Sequence, residues 1–403
     1  MRTFVFRLSL VLIFMMPWEG LVEFGLGTAL KLVGIVLAIC WAATVVMTGR
    51  MRRPTSFFAV TFAFVLWVAM SVLWSADPGR SIGHVATWAQ SLLLVVILLD
   101  LYRTRASILS GLQAFILGAY VAVIGAVSNY FAGTPFYSHY DRFSPGETNP
   151  DGFGFIIALG VPVAWYLAIS AGTGRFRPLL RLVNYVYIPA AFLGLALSGT
   201  RTATVAALAG MAFGLVALRR LRMGARVAVV VALALGIYLL LPVVQPLRSF
   251  ERLGTTATEA TEGTWNGRLL NWAQGLETFS EHPIAGVGAY MYPSVNDLGK
   301  AAHNTFLAVL VELGAIGFVL FMGILTIVVG HAFTLPPWER GFWLTVLLVW
   351  TIGSTTLTWG HRTTTWLFLT FLVASSMAIR QGEHRMAGRR TARAVPIHAG
   401  AGR

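Results

Sequence analysis

The stretch RVAVVVALALGIYLLLPVV, residues 226–244, carries one charged residue, at its first position. An apolar segment of about 20 residues is long enough to cross a bilayer as a helix. Segments of this kind recur along the whole chain. Their approximate bounds are 4–17, 28–48, 55–75, 83–101, 107–132, 151–171, 180–199, 201–218, 226–244, 303–330, 341–358 and 363–379. The sequence therefore predicts an all-α fold, a polytopic membrane helical bundle of about 12 transmembrane helices.

The composition agrees with a membrane protein. Of the 403 residues, 57% are apolar and 11% are charged, and the mean hydropathy is +0.72. A soluble domain carries roughly 25% charged residues, so an ordinary soluble protein is excluded. A disordered chain is excluded as well, because it needs low hydrophobicity. The single cysteine, Cys40, rules out an intramolecular disulfide and any metal site built from several cysteines.

The charge distribution indicates how the spans run. The net charge of +14 would first suggest a nucleic-acid partner. Most of the arginines, however, fall in alternate loops and in the tail, at 50–53, 103–105, 175–181, 219–226, 340 and 380–403. The positive-inside rule makes that side cytoplasmic, with both termini inside. Topology thus explains the basic charge, and contact of the polybasic tail with anionic lipid is the less favoured explanation. We expect membrane lipids and no nucleic acid among the partners.

The predicted spans divide the chain into four parts. Residues 1–244 hold spans 1–9, residues 245–302 form a long periplasmic loop, residues 303–379 hold spans 10–12, and residues 380–403 form a basic cytoplasmic tail. The segment 133–150 also exceeds a tight turn on the periplasmic side. Long loops without repeats are usually functional.

The long loop contains a predicted amphipathic helix at 265–279. Its apolar residues recur at spacings of four and three, which is the period of one helix face. They are Trp265, Leu269, Trp272, Leu276 and Phe279. In this interpretation Arg268 and Asn271 point away from the apolar face, and the helix lies on the membrane surface or on the top of the bundle.

Several short motifs follow one another in chain order. They are WSADP at 74–78, LSGTRT at 197–202, GR at 267–268 with Trp272, HPIAGVG at 282–288, and HNTFL at 303–307 with ELGAIG at 312–317. In this order they resemble the O-antigen ligase and polymerase superfamily. Asn149, Pro150 and Asp151 partly match an NPN element of that family, and the departure at Asp151 leaves its role open.

The resemblance implies a GT-C-type membrane glycosyltransferase of the bacterial inner membrane, with its active site facing the periplasm. The implied donor is a glycan on undecaprenyl pyrophosphate. A ligase moves that glycan to an acceptor such as lipid A-core, and a polymerase moves it to another lipid-linked unit. The resemblance also implies no metal ion, no nucleotide-sugar donor and no other cofactor.

The motif residues suit this chemistry. Arg201 and Arg268 are candidates for binding the pyrophosphate, because a planar guanidinium binds phosphate in a bidentate manner. Structural alternatives are an interfacial position for Arg201 and simple surface exposure for Arg268. His303 is the candidate general base, since its ordinary pKa suits proton transfer at neutral pH.

Two neighbours of His303 are supporting candidates. Asn304 either caps the following helix or orients the imidazole ring. Glu312 lies nine residues after His303, roughly 13 Å along a helix, and is expected to be a structural partner. His361, His282 and Arg362 lie on the same predicted side with weaker motif support.

Other functional classes remain open or are disfavoured. The sequence contains no GxxxxGK[ST], HExxH or strand–turn–helix GxSxG motif. A polymerase of the same superfamily is the alternative enzyme, and a transporter of lipid-linked glycans is the alternative of another class. The sequence leaves open the sugar, the acceptor, the oligomeric state and the roles of Asp151, Arg362 and His361.

The topology can be tested with reporter fusions. Fusions within 245–302 should report a periplasmic location, and fusions within 172–181 and 219–226 a cytoplasmic one, because arginines are retained inside. A cytoplasmic signal from the long loop would contradict both the topology and the proposed position of His303.

Overall fold

The computed structural model describes residues 1–24, 27–137, 141–170, 176–247 and 268–394. Within these ranges the protein is all-α, as predicted, apart from one antiparallel pair of two-residue strands, β1 (Glu23–Phe24) and β2 (Gly27–Thr28). The helices are α1 (Arg2–Met15), α2 (Ala29–Thr48), α3 (Ser56–Met70), α4 (Pro78–Leu101), α5 (Arg105–Ala132), α6 (Pro150–Ser170), α7 (Arg177–Ser198), α8 (Arg201–Leu218), α9 (Met223–Val244), α10 (Arg268–Glu281), α11 (Thr305–Phe333), α12 (Pro337–Ser354) and α13 (Thr363–Ala394).

Ten stretches of the described chain are long and apolar enough to cross a membrane. They contain α1 to α9 and α11, which correspond to the first ten predicted spans. The predicted spans 341–358 and 363–379 are also helical, as α12 and α13, but lie outside this set of ten. The polytopic helical membrane fold is thus confirmed, while the assignment of α12 and α13 as spans stays a prediction.

Helix α6 lies at the centre of the bundle. The most apolar 18-residue stretch of α6 is 89% buried inside the protein, whereas that of α9 is only 6% buried. Helix α6 packs against α7, α8, α5 and α12. Glycines allow close contacts there: a Cβ on Gly160 would lie 2.1 Å from the Tyr187 hydroxyl, and one on Gly353 would lie 1.7 Å from the Phe155 ring. Small residues let neighbouring membrane helices approach one another in this way.

The two ends of the bundle differ in chemistry. In the first turn of α4, the Ser81 hydroxyl donates to the carbonyl of Ala289, which follows the HPIAGVG motif. In its last turn, the Asp100 carboxylate accepts from the backbone N–H of Arg52 and from Arg103. These contacts are about 28 Å apart along the helix. We call them the motif end and the arginine end.

Helix α11 is interrupted at Gly314, whose φ of 64° and ψ of −170° are not helical. The segment 283–288 supplies the hydrogen bonds that the interruption removes. It donates from Val287 and Gly288 to the carbonyls of residues 311 and 312, at 3.1 and 2.9 Å. It also accepts from Ala315 and Ile316 at 2.8 and 3.3 Å. Since unpaired backbone groups are costly in an apolar bundle, this pairing makes the interruption possible.

The interruption depends on two glycines, which provides a test of stability. Gly286 and Gly314 both have positive φ, and a Cβ on either would lie within 2.5 Å of backbone atoms of the other segment. Gly286→Ala and Gly314→Ala should each cost roughly 1–3 kcal/mol, because the backbone is strained and must also move. The measurement is thermal unfolding of the purified protein in detergent.

Gly330 is the matched control, because it lies on the same helix and a methyl group added there would have no heavy atom within 4 Å. Gly330→Ala should be neutral or slightly stabilising, since alanine is the better helix former. Equal unfolding temperatures for Gly314→Ala and Gly330→Ala would contradict the role assigned to the interruption.

Candidate active site

His303 lies immediately before α11, at the motif end. Asn304 is the N-cap of that helix, and its side-chain oxygen accepts from the backbone N–H of Phe306 and Leu307 at 3.0 and 3.2 Å. His303 itself has a φ of 48°. A positive φ is uncommon outside glycine, and residues held in such conformations cluster at functional sites. The helix cap and the turn before it therefore hold His303 in a defined position.

Helix α10 holds the segment before His303. The indole N–H of Trp272 donates to the carbonyl of Ala302 at 2.8 Å, and the side-chain amide of Asn271 donates to the carbonyl of Ala301 at 2.9 Å. The Tyr292 hydroxyl donates to the Asn271 carbonyl at 2.7 Å. Side chains of α10 thus fix the turn that carries His303 by donating hydrogen bonds to its preceding backbone carbonyls.

The segment 357–361 holds the other side of this turn. The Thr305 hydroxyl donates to the carbonyl of Leu357 and accepts the backbone N–H of Trp359, both at 2.8 Å. Both partners precede α13, so the C-terminal helices take part in positioning the His303 turn.

The packed face of α10 differs from the predicted one. The described helix begins at Arg268, and residues 265–267 of the predicted helix lie outside the described residues. Leu269 and Leu276 are 49% and 54% exposed, whereas Asn271 is 2% exposed. The buried face of α10 therefore includes Asn271, which the helical period places off the apolar face. The reason is that the Asn271 amide is buried against a carbonyl to which it donates a hydrogen bond.

Arg268, Asp151 and His303 form one electrostatic site. Burial lowers the pKa of His303, the positive charges of Arg268 and Lys300 lower it further, and the Asp151 carboxylate raises it. Burial also lowers the pKa of Arg268, while Asp151 raises it. Mutual effects of this kind require that the groups lie near one another. The fold thus brings together residues from α6, α10 and the turn before α11.

A buried arginine connects Asp151 with the start of α8. Arg142 is 4% exposed, and its Nη2 lies 2.6 Å from Asp151 Oδ1 and 2.9 Å from the Thr200 hydroxyl. Its Nε donates to the carbonyl of Ser198 at 2.6 Å. Thr200 directly precedes Arg201, the first residue of α8. Arg142 therefore joins the loop before α6 to the turn that carries Arg201.

Arg142 was not singled out by the sequence motifs. Two sequence features could have pointed to it: its place in the long segment 133–150 and the partial motif match at 149–151. Two guanidinium groups, those of Arg142 and Arg268, act on Asp151, and Arg201 begins the helix that follows the Arg142-bound turn. Such a concentration of positive charge suits an anionic ligand.

Glu312 lies deeper in the bundle than His303. Its carboxylate accepts hydrogen bonds from the backbone N–H groups of Tyr290 and Tyr292. Glu312 therefore connects α11 to the chain that follows the HPIAGVG motif. This placement agrees with a structural role at roughly 13 Å from His303 along the helix.

The weaker candidates occupy two neighbouring positions at the motif end. Arg362 pairs with Glu19 at 3.2 Å, beside a pocket lined by Asn149, Gly152 and Trp359. His361 lies in a ring cluster with His84, at a centroid distance of 4.9 Å. Burial lowers the pKa of His361, and the charges of Arg362 and His84 lower it further, to about 3. Because a group with so low a pKa is a weak base, His303 is the better candidate.

Three other residues that the sequence puts on this side, His139, Arg248 and Arg252, lie outside the described residues. Among the residues that the structure does describe, no group of three or more His, Cys, Asp or Glu side chains is arranged to hold a metal ion.

Comparison with known proteins supports the sequence resemblance. Residues 186–322 match the protein family Wzy_C, described as O-antigen ligase. This region contains Arg201, Arg268, His303, Asn304 and Glu312, whereas Arg142 and Asp151 precede it.

The chain is also similar to the exopolysaccharide production protein ExoQ of Rhizobium meliloti (strain 1021). The two are 27% identical over 294 residues, which cover 66% of this chain and 62% of the relative. This chain thus spans less than two thirds of the relative's length. The helical bundle makes the chain a multi-pass helical membrane protein, and its residues 186–322 are similar to the O-antigen ligase family.

Proposed function

We propose that this protein is a ligase-like glycosyltransferase that moves a glycan from undecaprenyl pyrophosphate to an acceptor hydroxyl. The observation that carries the proposal is the joint site of His303, Arg268 and Asp151 next to the turn of Arg201. A base and several arginines are what a transfer from a diphosphate needs. The residues of this site come from segments that are far apart in the sequence.

In the proposed reaction, Arg201 and Arg268 bind the diphosphate of the donor. The acceptor oxygen attacks the anomeric carbon from the face opposite the diphosphate and forms the new glycosidic bond. The bond between that carbon and the phosphate oxygen breaks, and its electron pair leaves with the polyprenyl diphosphate. The proton of the acceptor hydroxyl passes to His303. The configuration at the anomeric carbon is inverted.

The electrostatics of the site support these roles. Because burial and two positive charges lower the pKa of His303, its ring is neutral at neutral pH and ready to accept a proton. The guanidinium of Arg268 that lowers this pKa is also the group proposed to bind the diphosphate. Asp151 is occupied by Arg142 and Thr200, so its role is to hold these arginine-bearing segments in place.

We place the reaction at the periplasmic face of the bacterial inner membrane. The loops 49–55 and 102–104 lie at the arginine end, opposite His303. Under the positive-inside rule, the arginine end is cytoplasmic and the motif end is periplasmic. The proposed acceptor is lipid A-core or a similar lipid- or glycan-borne hydroxyl.

A polymerase is the second candidate function. The relative ExoQ is described as an exopolysaccharide production protein. That description favours growth of a chain, in which the acceptor is itself a lipid-linked unit. The residues of the site would serve both reactions, because the acceptor hydroxyl is the only part that differs.

Reconstitution distinguishes these functions. The purified full-length protein is placed in liposomes with an undecaprenyl-diphosphate oligosaccharide, with or without lipid A-core, and the products are sized with and without a chelator. A single product of discrete size that forms only with lipid A-core supports ligation. A ladder of glycan lengths that forms without lipid A-core supports polymerisation. Movement of the donor across the bilayer without glycan transfer would contradict both and support a transporter.

Substitutions should separate the proposed roles. Arg201→Lys and Arg268→Lys should lower the rate by about ten- to hundredfold, because lysine keeps the charge but loses the planar fork. His303→Ala should lower turnover by roughly 10²–10⁴-fold while donor binding persists, because the base acts on the acceptor. Donor affinity and turnover are measured separately on membrane-inserted variants.

Arg80→Lys is the matched control, since Arg80 is exposed at the motif end and pairs only with Asp77 in the described chain. It should retain near-normal activity. A different result would be that His303→Ala binds the donor weakly and turns over each bound donor at the normal rate. That result would identify His303 as a diphosphate ligand and contradict its role as a base.

The pH profile provides an independent test of the base. The rate should fall on the acid side as His303 becomes protonated, and this fall should occur below about pH 6.5 because the pKa of His303 is lowered. Lys300→Gln removes one of the charges that lower it, so the acid limb of kcat/KM should move to higher pH. The rate above that limb should be unchanged.

Lys31→Gln is the control, since Lys31 is an exposed lysine of α2 that has no effect on His303 in the described contacts. Its acid limb should coincide with that of the unmodified protein. A shift to lower pH in Lys300→Gln would show that another group controls the acid limb.

A further inference from the structure

A cluster of arginines surrounds one buried carboxylate at the arginine end. Asp100 is 2% exposed and lies in the last turn of α4. Its Oδ1 accepts from the backbone N–H of Arg52 at 2.9 Å and from the guanidinium of Arg103. Its Oδ2 accepts from the Trp41 indole at 3.1 Å, and Arg2 lies 3.7 Å away. Both oxygens of the carboxylate are therefore engaged.

The positive charge of this cluster exceeds the negative charge. Three arginines, Arg2, Arg52 and Arg103, surround the single carboxylate of Asp100. Two of their N–H groups, Arg2 Nε and Arg52 Nη2, are buried and have no hydrogen-bond partner among the described residues. Burial and the charge of Arg103 lower the pKa of Arg52, and Asp100 only partly offsets this effect. The cluster is thus short of an anion.

A cavity of about 260 Å³ lies beside the cluster. It is lined by Arg2, Thr3, Phe6, Asp100, Leu101 and Arg103. The lining combines charged groups with two apolar side chains. This combination suits a ligand with a phosphate group next to an apolar portion, because arginine binds phosphate oxygens and the apolar side chains contact carbon.

We propose that this arginine pocket binds the phosphate of an anionic lipid headgroup, with Arg2 and Arg103 contacting the phosphate oxygens. The pocket lies where α1 begins and α4 ends, at the level expected for headgroups around a membrane helix. Basic residues at such positions attract anionic lipids. It is about 28 Å along α4 from the motif end, so this proposal is independent of the proposed glycan transfer.

The test uses the purified full-length protein and measures binding of phosphatidylglycerol by native mass spectrometry. Phosphatidylcholine is the comparison lipid, because its headgroup has the phosphate but no net charge. The unmodified protein should retain phosphatidylglycerol at least about tenfold more tightly. The double variant Arg2→Gln/Arg103→Gln should lose this preference. Arg53→Gln, at an exposed neighbouring arginine outside the cavity lining, should keep it.

Further arms identify the source of the phosphate. Inorganic phosphate and glycerol 3-phosphate are added at millimolar concentration. If either displaces phosphatidylglycerol while binding tightly itself, the site takes a soluble phosphate and the lipid assignment is wrong. Equal retention of both lipids by the unmodified protein would overturn the proposal without any variant. If the double variant does not fold, the lipid preference of the unmodified protein and Arg53→Gln decides the question.

Discussion

The backbone interruption of α11 at Gly314 is the constraint on which the motif end depends. A helix inside an apolar bundle cannot leave N–H and C=O groups unpaired, so another segment has to pair with them. The segment 283–288 does so with four backbone hydrogen bonds. His303 lies just before the N-cap of α11, and α10 precedes the segment 283–288, so the same pairing connects the two elements beside the candidate site.

The motif residues serve this arrangement in different ways. Gly286 and Gly314 allow the two backbones to approach, while Glu312 accepts from the chain that follows. On either side of the WSADP stretch, the hydroxyls of Ser71 and Ser81 bind the backbone N–H and carbonyl of Ala289, at 3.0 and 2.7 Å. The WSADP stretch thus helps to hold the segment after the HPIAGVG motif, and the residues proposed to carry out transfer are a smaller set around His303.

An aspartate with arginine partners lies at each end of the bundle. Asp151 is bound by Arg142 and Thr200 at the motif end, and Asp100 is bound by Arg103 and Arg52 at the arginine end. Asp100 binds arginines from several elements, whereas Asp151 binds Arg142 and acts electrostatically on Arg268. A buried carboxylate with partners is tolerated where an unpaired one would be expelled or neutralised. A carboxylate paired with arginine thus occurs at both of the sites proposed to bind an anion.

The sequence by itself determined the helical membrane fold, because span length and hydropathy follow directly from composition. It also singled out His303, Arg201 and Arg268 as candidate site residues, since the motifs keep their order along the chain. Only the tertiary structure decided that Arg142 joins Asp151 to the turn before Arg201, and that Asn271 is buried. Helix periodicity detects only a face of apolar residues. It cannot show that the Asn271 amide is buried, because the carbonyl to which it donates lies thirty residues away. The interruption of α11 at Gly314 was likewise invisible, because its stability comes from backbone pairing with a distant segment.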